Sequence, residues 1–173
     1  MNLVKRNVKI KTLTNSSIER HPVPVLGIDY KVKITYKNIK ITELDVENNT
    51  IKISLPNIYK KISNTQILDL AIEKMYEQIA NVEIERAMEK TRIMLGFAPE
   101  EYEIAKIKTL GACKDNKITI NPEVVKYNRK VIDYIVLHQY CHLKHKTHCK
   151  RFYEMLKKYE PEYKKCEEIL LNI

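Results

Sequence analysis

The sequence contains no apolar run of the roughly 20 residues that a membrane-spanning helix needs, so we expect no membrane span. No long apolar stretch follows residues 1–6, so we do not expect a secretory signal. We expect a cytoplasmic location. The chain has only four cysteines and no C-x-x-C pair. In a chain without an export signal this pattern predicts reduced thiols and not a disulfide framework. Because free cysteines are often buried, Cys141 is expected to pack in the core.

The chain does have the composition of a soluble globular domain, with 44% hydrophobic and 31% charged residues over 173 positions. This length predicts one domain, here preceded by an N-terminal arm. The net charge of +9 is concentrated in residues 1–61, which hold 12 Lys/Arg against 5 Asp/Glu. Such a basic region favours nucleic acid or nucleotides as partners, or it forms a lysine-rich face in contact with solvent.

The N-terminal third is predicted to be an arm followed by a β-rich part. Residues 1–27 end in H-P-V-P, an extended stretch that suits the arm. Residues 28–62 form the β-rich, basic part. Alternation of apolar and polar residues predicts strands over residues 31–36 and 50–55, with turn residues at 47–50 between them.

Residues 63–96 are predicted to form one long helix, which Asn64 or Thr65 caps and Gly96 ends. Apolar residues recur along it at roughly helical spacing. They are Ile67, Leu70, Met75, Ile79, Val82, Met88 and Leu95.

The remainder of the chain is predicted to hold further strands and the metal-site helix. Residues 97–127 contain strands over 102–108 and 117–121. Residues 128–173 begin with the metal-site helix, whose apolar face comprises Val131, Ile132, Ile135 and Val136. Two C-terminal helices are expected to follow, from His148 to Tyr159 and from Pro161 to Leu171. The fold class is therefore α+β, with a small mixed or antiparallel sheet packed on the long helix and the metal-site helix.

Four of the five histidines lie within residues 138–148. His138 and His142 are four positions apart, so their imidazoles share one helix face, as two metal ligands require. A third ligand has to come from beyond the helix end, and His148 is favoured because six residues leave room for the chain to turn back. His145 is the competing candidate for the third ligand. Alternatively, it contacts the ligands without binding the metal itself. Three histidines in this arrangement predict a Zn²⁺ site that keeps a fourth position for water.

The motif H-Q-x-x-H differs at one position from the H-E-x-x-H of zinc hydrolases. Gln139 stands where the glutamate that acts as general base is expected. A glutamine amide has nearly the same size but takes up no proton at neutral pH, and loss of a general base removes roughly 10²–10⁴-fold in rate. The base is not a ligand, so the metal should stay. The sequence thus predicts that the protein binds metal but that its hydrolytic activity is absent or strongly impaired, whether the change to glutamine is natural or engineered.

Residues 131–142 read V-I-D-Y-I-V-L-H-Q-Y-C-H, and residues 148–153 read H-C-K-R-F-Y. They resemble the signature of the YgjP-like metallopeptidase domain, a relative of the SprT-type zincins. That family shows V-I-D-Y-V-V-x-H-E-L-x-H and then a third histidine followed closely by Phe-Trp. Its W-G-S-C segment has a weaker counterpart in L-G-A-C at residues 110–113. The likeness extends over residues 30–170 and is sharp over residues 110–153.

The resemblance implies zinc on His138, His142 and His148, a zincin-like α+β fold in which a strand borders the cleft, and metallopeptidase activity. At least one bacterial member is described as a nucleotide pyrophosphatase, so the substrate is a peptide, a protein or a nucleotide. The leading hypothesis is a zinc-dependent hydrolase of this class, impaired by Gln139. One alternative is a catalytically dead, metal-stabilised module that binds nucleic acid or nucleotides through its basic N-terminal region. Another is that zinc is only a structural staple.

Overall fold

The computed structural model describes residues 22–62 and 64–171, which form two small sheets and four α-helices. The strands are β1 (Val23–Val25), β2 (Ile28–Lys37), β3 (Glu43–Glu47), β4 (Thr50–Pro56), β5 (Glu101–Ile104), β6 (Gly111–Lys114) and β7 (Lys117–Ile120). The α-helices are α1 (Asn64–Leu95), α2 (Arg129–Lys144), α3 (Lys150–Tyr159) and α4 (Tyr163–Leu171), and short 3-10 helices occupy Asn57–Lys61 and Pro122–Lys126. The predicted α+β class is confirmed, with two separate sheets in place of one.

The first sheet has the strand order β1-β2-β4-β3. Its centre is the parallel pair β2 and β4, aligned from Lys31 opposite Thr50 to Lys37 opposite Pro56. Alternate side chains of β2 and of the first half of β4 are buried, which is the half-buried pattern that predicted the two strands. The alternating buried residues are Val32, Ile34, Ile51 and Ile53, and residues 54–56 at the end of β4 are buried as well.

Strand β3 is a correction to the sequence prediction, which placed only turn residues before β4. It pairs antiparallel with β4 through a two-residue turn at Asn48 and Asn49, whose φ angles are 47° and 57°. Asparagine tolerates this left-handed conformation better than most residues, so the predicted turn is confirmed. The strand itself gives no sequence signal because all five of its residues are exposed.

The predicted arm of residues 1–27 includes a segment that belongs to the fold. β1 pairs antiparallel with the start of β2, with Val23 opposite Tyr30. The turn that follows β1 is hydrogen-bonded to the 3-10 helix Pro122–Lys126, because the N–H of Leu26 donates to the carbonyl of Val125 at 2.7 Å. Gly27, with φ 80°, sits where an added Cβ would lie 3.0 Å from Cβ of Asn128. Residues 1–21, most of the predicted arm, lie outside the described residues.

Helix α1 spans 32 residues and ends where predicted, at Gly96 with φ 74°. Its buried face combines large apolar residues, such as Leu68 and Ile84, with Ala80 and Ala87, and the helix packs against α2. Two of the apolar positions at helical spacing, Leu70 and Val82, do not belong to the buried face, since they are 56% and 66% exposed.

The second sheet has the order β5-β7-β6, with β5 parallel and β6 antiparallel to β7. Ile118 and Ile120 of β7 are fully buried. Strand β6 is a correction to the sequence prediction, which in this part of the chain placed strands only at residues 102–108 and 117–121. It forms a hairpin with β7 through Asp115 and Asn116, whose φ angles are 48° and 61°, and it lies at the sheet edge against α2.

The C-terminal helices pack on α2. Helix α3 begins at Lys150, two residues later than predicted, which leaves His148 in the connection between α2 and α3. Helix α4 begins at Tyr163, also two residues later than predicted. Among the described residues, no helix combines the length and apolar character needed to cross a membrane.

Candidate metal centre

Helix α2 carries two of the predicted ligands and is anchored from its first turn. The side-chain oxygen of Asn128 accepts a hydrogen bond from the N–H of Val131 at 3.1 Å, which caps the helix. The predicted apolar face is confirmed, with Val131, Ile132, Ile135 and Val136 all buried. His138 and His142 follow one turn apart, with ring centroids separated by 4.9 Å. Their rings therefore project from a rigid, well-packed element.

His148 joins these two rings from the connection that follows the helix. Its Nε2 lies 3.0 Å from Nε2 of His138, and one nitrogen of each of the three rings lies within 4.8 Å of the others. In a tetrahedral zinc site, metal–nitrogen distances of 2.0–2.1 Å place ligand nitrogens about 3.3 Å apart. The structure thus brings together His138, His142 and His148 at a spacing that fits a single ion.

Phe152, in the first turn of α3, supports all three rings. Its ring centroid is 4.9 Å from that of His138 and 4.7 Å from those of His142 and His148. The side chain is fully buried. A rigid aromatic ring in this position limits the rotamers of the histidines and keeps them converged.

Both helix histidines have their Nδ1 atoms engaged. Nδ1 of His142 is 3.1 Å from the carbonyl oxygen of His145, and since a carbonyl only accepts, the ring donates there and leaves Nε2 with its lone pair. Nδ1 of His138 is 3.2 Å from the hydroxyl oxygen of Tyr134. His145 therefore contacts the site through its backbone. Among the described residues, the imidazole that joins the converging group belongs to His148, not to His145.

The environment keeps the helix histidines neutral. Burial, followed by the neighbouring rings of His142 and His148, lowers the pKa of His138 to about 4. Burial also lowers the pKa of His142. Neutral imidazole is the form that offers a lone pair to a metal. Within residues 22–62 and 64–171, no carboxylate or thiol joins the three nitrogens, so the donor set fits zinc in a site with an open fourth position.

Gln139 occupies the predicted base position on the metal-site helix α2. Its side chain lies between this helix and the edge strand β6. It is 7% exposed, and its side chain packs on Gly111 of that strand. A Cβ atom at Gly111 would meet Nε2 of Gln139 at 2.9 Å and its Cγ and Cδ at 3.1 Å. The strand beside the helix thus leaves space for this side chain only because residue 111 is glycine.

Sequence reasoning assigned no role to Tyr134 or Phe152. Tyr134 precedes His138 by four residues, so the same spacing that identified the histidine pair places its hydroxyl beside the first ring. Phe152 follows His148 by four residues at the start of the next helix. Its role depends on how α3 packs against α2, and no local pattern reveals that packing.

The predicted core position of Cys141 is confirmed. The side chain is fully buried, although its neighbour His142 points into the site. Burial raises the pKa of its thiol to about 12, so the protonated form persists at neutral pH. A protonated, buried thiol is a poor metal ligand.

In the basic N-terminal region, some of the lysines pair with neighbouring carboxylates. Lysines of the first sheet lie beside the acidic strand β3, as in the pair Lys37–Glu43 at 3.7 Å. Lys52 likewise contacts Glu47. These carboxylates reduce the positive potential that phosphate binding requires. Five further basic residues of this region, at positions 5–20, lie outside the described residues.

Comparison with known proteins agrees with the resemblance seen in the sequence. A family model described as "YgjP-like, metallopeptidase domain" matches residues 3–172. No curated protein matches significantly. Among solved structures, the crystal structure of the metallopeptidase zymogen of Pyrococcus abyssi abylysin is similar, with 25% identity and a TM-score of 0.46 over 51% of this chain and 91% of that chain. Because the family model spans nearly all of its length, the chain belongs to the YgjP-like metallopeptidase domain family.

Proposed function

We propose that the protein is a zinc-dependent hydrolase of the YgjP-like class, acting on peptide bonds and strongly impaired by the residue at position 139. The observation that carries this proposal is the convergence of three imidazole nitrogens within 4.8 Å of one another. Two of these rings come from one helix and the third from the connection that follows it.

His138, His142 and His148 would hold the ion. Zinc, when bound, supplies Lewis acidity that stabilises negative charge on a substrate oxygen and makes water more acidic. The protein's own part is to keep the three rings neutral and oriented. Burial lowers the pKa of His138 to about 4, and the packing of Phe152 restricts the rings. Three protein ligands with an open position are typical of catalytic zinc, whereas a structural staple has four protein ligands.

Gln139 limits the reaction. A glutamate here would accept a proton from water and pass it to the leaving group, and the amide of glutamine does neither. Among the described residues, the converging group consists of three imidazoles and includes no carboxylate. The proposed enzyme therefore binds metal and substrate but turns over slowly.

The test is the zinc content of tag-free protein, measured by elemental analysis after dialysis against zinc at neutral pH. About one zinc per chain is expected for the wild type, and none for His148→Ala. His145→Ala is the matched control, because it removes an imidazole but keeps the backbone carbonyl that supports His142. No zinc in the wild type, or equal loss in both variants, would refute the proposed site.

A second measurement separates a catalytic site from a structural staple. X-ray absorption at the zinc edge counts the ligands and distinguishes histidine nitrogen from sulfur. Three histidines with one additional oxygen are expected. Four protein ligands would support the staple and contradict the hydrolase.

A further inference from the structure

Helix α4 reaches the candidate metal site through two side chains. The hydroxyl of Tyr134, on α2, donates a hydrogen bond to Oε1 of Glu167 on α4 at 3.1 Å. The same hydroxyl oxygen lies 3.2 Å from Nδ1 of His138. Tyr134 is 4% exposed, so these contacts are made away from solvent. A carboxylate, a phenol and an imidazole thus form one chain of hydrogen bonds.

The direction of each bond follows from the chemistry of the groups. A carboxylate only accepts, and a phenol has a single proton, which goes to Glu167. The hydroxyl oxygen of Tyr134 can then only accept from His138, so Nδ1 of that ring carries the proton. In this tautomer the lone pair is on Nε2, the nitrogen that faces His148 at 3.0 Å.

We propose that Tyr134 and Glu167 are positioning residues that hold His138 in the Nδ1–H tautomer and make α4 a functional part of the metal site. This inference rests on the proposed zinc site. His142 needs no such side chain, because the backbone carbonyl of His145 orients its ring. The orientation of His138 therefore depends on the side chains of Tyr134 and Glu167, which substitution can remove, whereas that of His142 depends on a backbone carbonyl.

Helix α4 is held against the rest of the protein without Glu167. Lys130 of α2 pairs with Glu162 at 2.6 Å, just before α4 begins. Within the helix, Cys166 is 1% exposed. Removal of the Glu167 carboxylate should therefore change the hydrogen bonding of Tyr134 while the helix stays in place.

Loss of the carboxylate frees the proton of the phenol. In Glu167→Ala, the hydroxyl of Tyr134 can donate to Nδ1 of His138, which favours the Nε2–H tautomer. That tautomer carries a proton on the nitrogen that faces the ion and has to rearrange before it can bind. Loss of such a supporting partner typically weakens metal affinity by about 10–100-fold.

The first experiment measures zinc affinity by competition with a chromophoric chelator. We expect Glu167→Ala to bind zinc about 10–100-fold more weakly than the wild type. Glu167→Gln should lose less, because its amide oxygen can still accept from the phenol. The matched control is Glu168→Ala, which removes the same charge from the next, exposed position and should bind as the wild type does. Unchanged affinity in Glu167→Ala would overturn the proposal.

The second experiment is independent of metal. Ring ¹⁵N chemical shifts in zinc-free protein distinguish the two tautomers of a neutral histidine. The wild type should show His138 as Nδ1–H, and Glu167→Ala should shift it towards Nε2–H. An Nε2–H ring in the wild type, or no shift in the variant, would overturn the role of Glu167. If the wild type bound no zinc, the proposed function would fail while this result still decided the positioning role.

A further pair of variants tests the phenol itself. Tyr134→Phe should weaken zinc binding to about the same extent as Glu167→Ala, because it interrupts the same chain of bonds. Tyr140→Phe is the control, since it removes a buried hydroxyl from the same helix, one that donates to the carbonyl of Met88 at 3.2 Å. Equal zinc affinity in the two variants would show that Tyr134 contributes only to packing, contrary to the proposal.

Discussion

Gly111 and Gln139 are packed so closely that a Cβ atom on the glycine would lie 2.9 Å from Nε2 of the glutamine. The glycine is in the edge strand β6 and the glutamine is in the metal-site helix α2. The contact therefore determines how near the strand can come to the position of the missing base. It also links a local feature of β6 to the chemistry of residue 139.

Gly111→Ala should displace the side chain of Gln139 and lower the free energy of unfolding by about 1–3 kcal/mol, the usual effect of overpacking. The measurement is urea denaturation at neutral pH. Zinc content should stay at the wild-type value, since the three atoms nearest to the added Cβ all belong to Gln139 and not to a histidine.

The control for this prediction is a double-mutant cycle with Gln139→Ala. If the methyl group clashes with the glutamine, Gly111→Ala should cost much less in the Gln139→Ala background. Additive losses would mean that the destabilisation arises elsewhere in the strand.

Restoring the carboxylate should restore hydrolysis. Gln139→Glu changes an amide into a proton acceptor of nearly the same size, and we expect about 10²–10⁴-fold faster turnover in zinc-loaded protein. Cleavage of fluorescein-labelled casein measures peptidase activity. Release of pyrophosphate from nucleoside triphosphates, assayed in parallel, would redirect the proposal towards nucleotides.

The control for that gain is Gln139→Glu combined with His148→Ala, which keeps the new carboxylate and removes a ligand. Activity that survives in the double variant would point to a contaminating enzyme. If Gln139→Glu hydrolyses neither class of substrate although one zinc is bound, the hydrolase proposal loses its chemical basis.

The elements that the sequence predicted well are those with local signals. Helix α1 ends at Gly96 because glycine adopts a positive φ there, and α2 begins after Asn128 because its side chain caps the first turn. The histidine pair was visible because spacing within one helix determines which side chains share a face. Such features need no knowledge of the remaining chain.

The elements that were missed depend on pairing between distant residues. Strand β3 has no buried residue, and β6 consists of four residues at a sheet edge. Only their partner strands make them strands. The contact between Tyr134 and Glu167 likewise joins residues 33 positions apart, and it follows from the packing of α4 on α2.

Phe152 should affect the metal site more than its contribution to stability alone predicts. Phe152→Ala is expected to cost about 3–5 kcal/mol of unfolding free energy, because it empties a fully buried site. It also removes the ring that packs on all three histidines, so zinc affinity should fall by about tenfold or more as the rings lose their preorganisation.

Leu156→Ala provides the matched comparison for Phe152. Leu156 lies one turn later on the same helix and is also fully buried, so the cost in stability should be similar, about 2–5 kcal/mol. Its zinc affinity, measured at a temperature where both variants are folded, should equal that of the wild type. Equal zinc losses in the two variants would attribute the effect to general destabilisation of α3.

The pairing of α1 with α2 should make stability depend on acid pH through Glu83. This side chain is 4% exposed and bonds to Arg129 at 2.6 Å and to Arg86 at 3.0 Å. Hydrogen bonding from Arg129, with a smaller contribution from Arg86, lowers the pKa of Glu83 in the folded state. The carboxylate therefore stabilises the fold above its unfolded pKa of about 4.5, and this contribution is lost as the pH falls through the lower folded value.

Glu83→Gln should consequently lower the free energy of unfolding by about 1.5–3 kcal/mol at pH 7, the usual size of charge-assisted hydrogen bonds. The difference from the wild type should shrink as the pH falls from 5 to 3, because the wild type then loses the same charge. Glu89→Gln is the control: its carboxylate pairs with Arg92 at 2.7 Å but is 53% exposed and screened by solvent, so the variant should be about as stable as the wild type. A pH-independent deficit in Glu83→Gln would show that the amide disturbs packing and that the charge on Glu83 does not stabilise the α1–α2 interface.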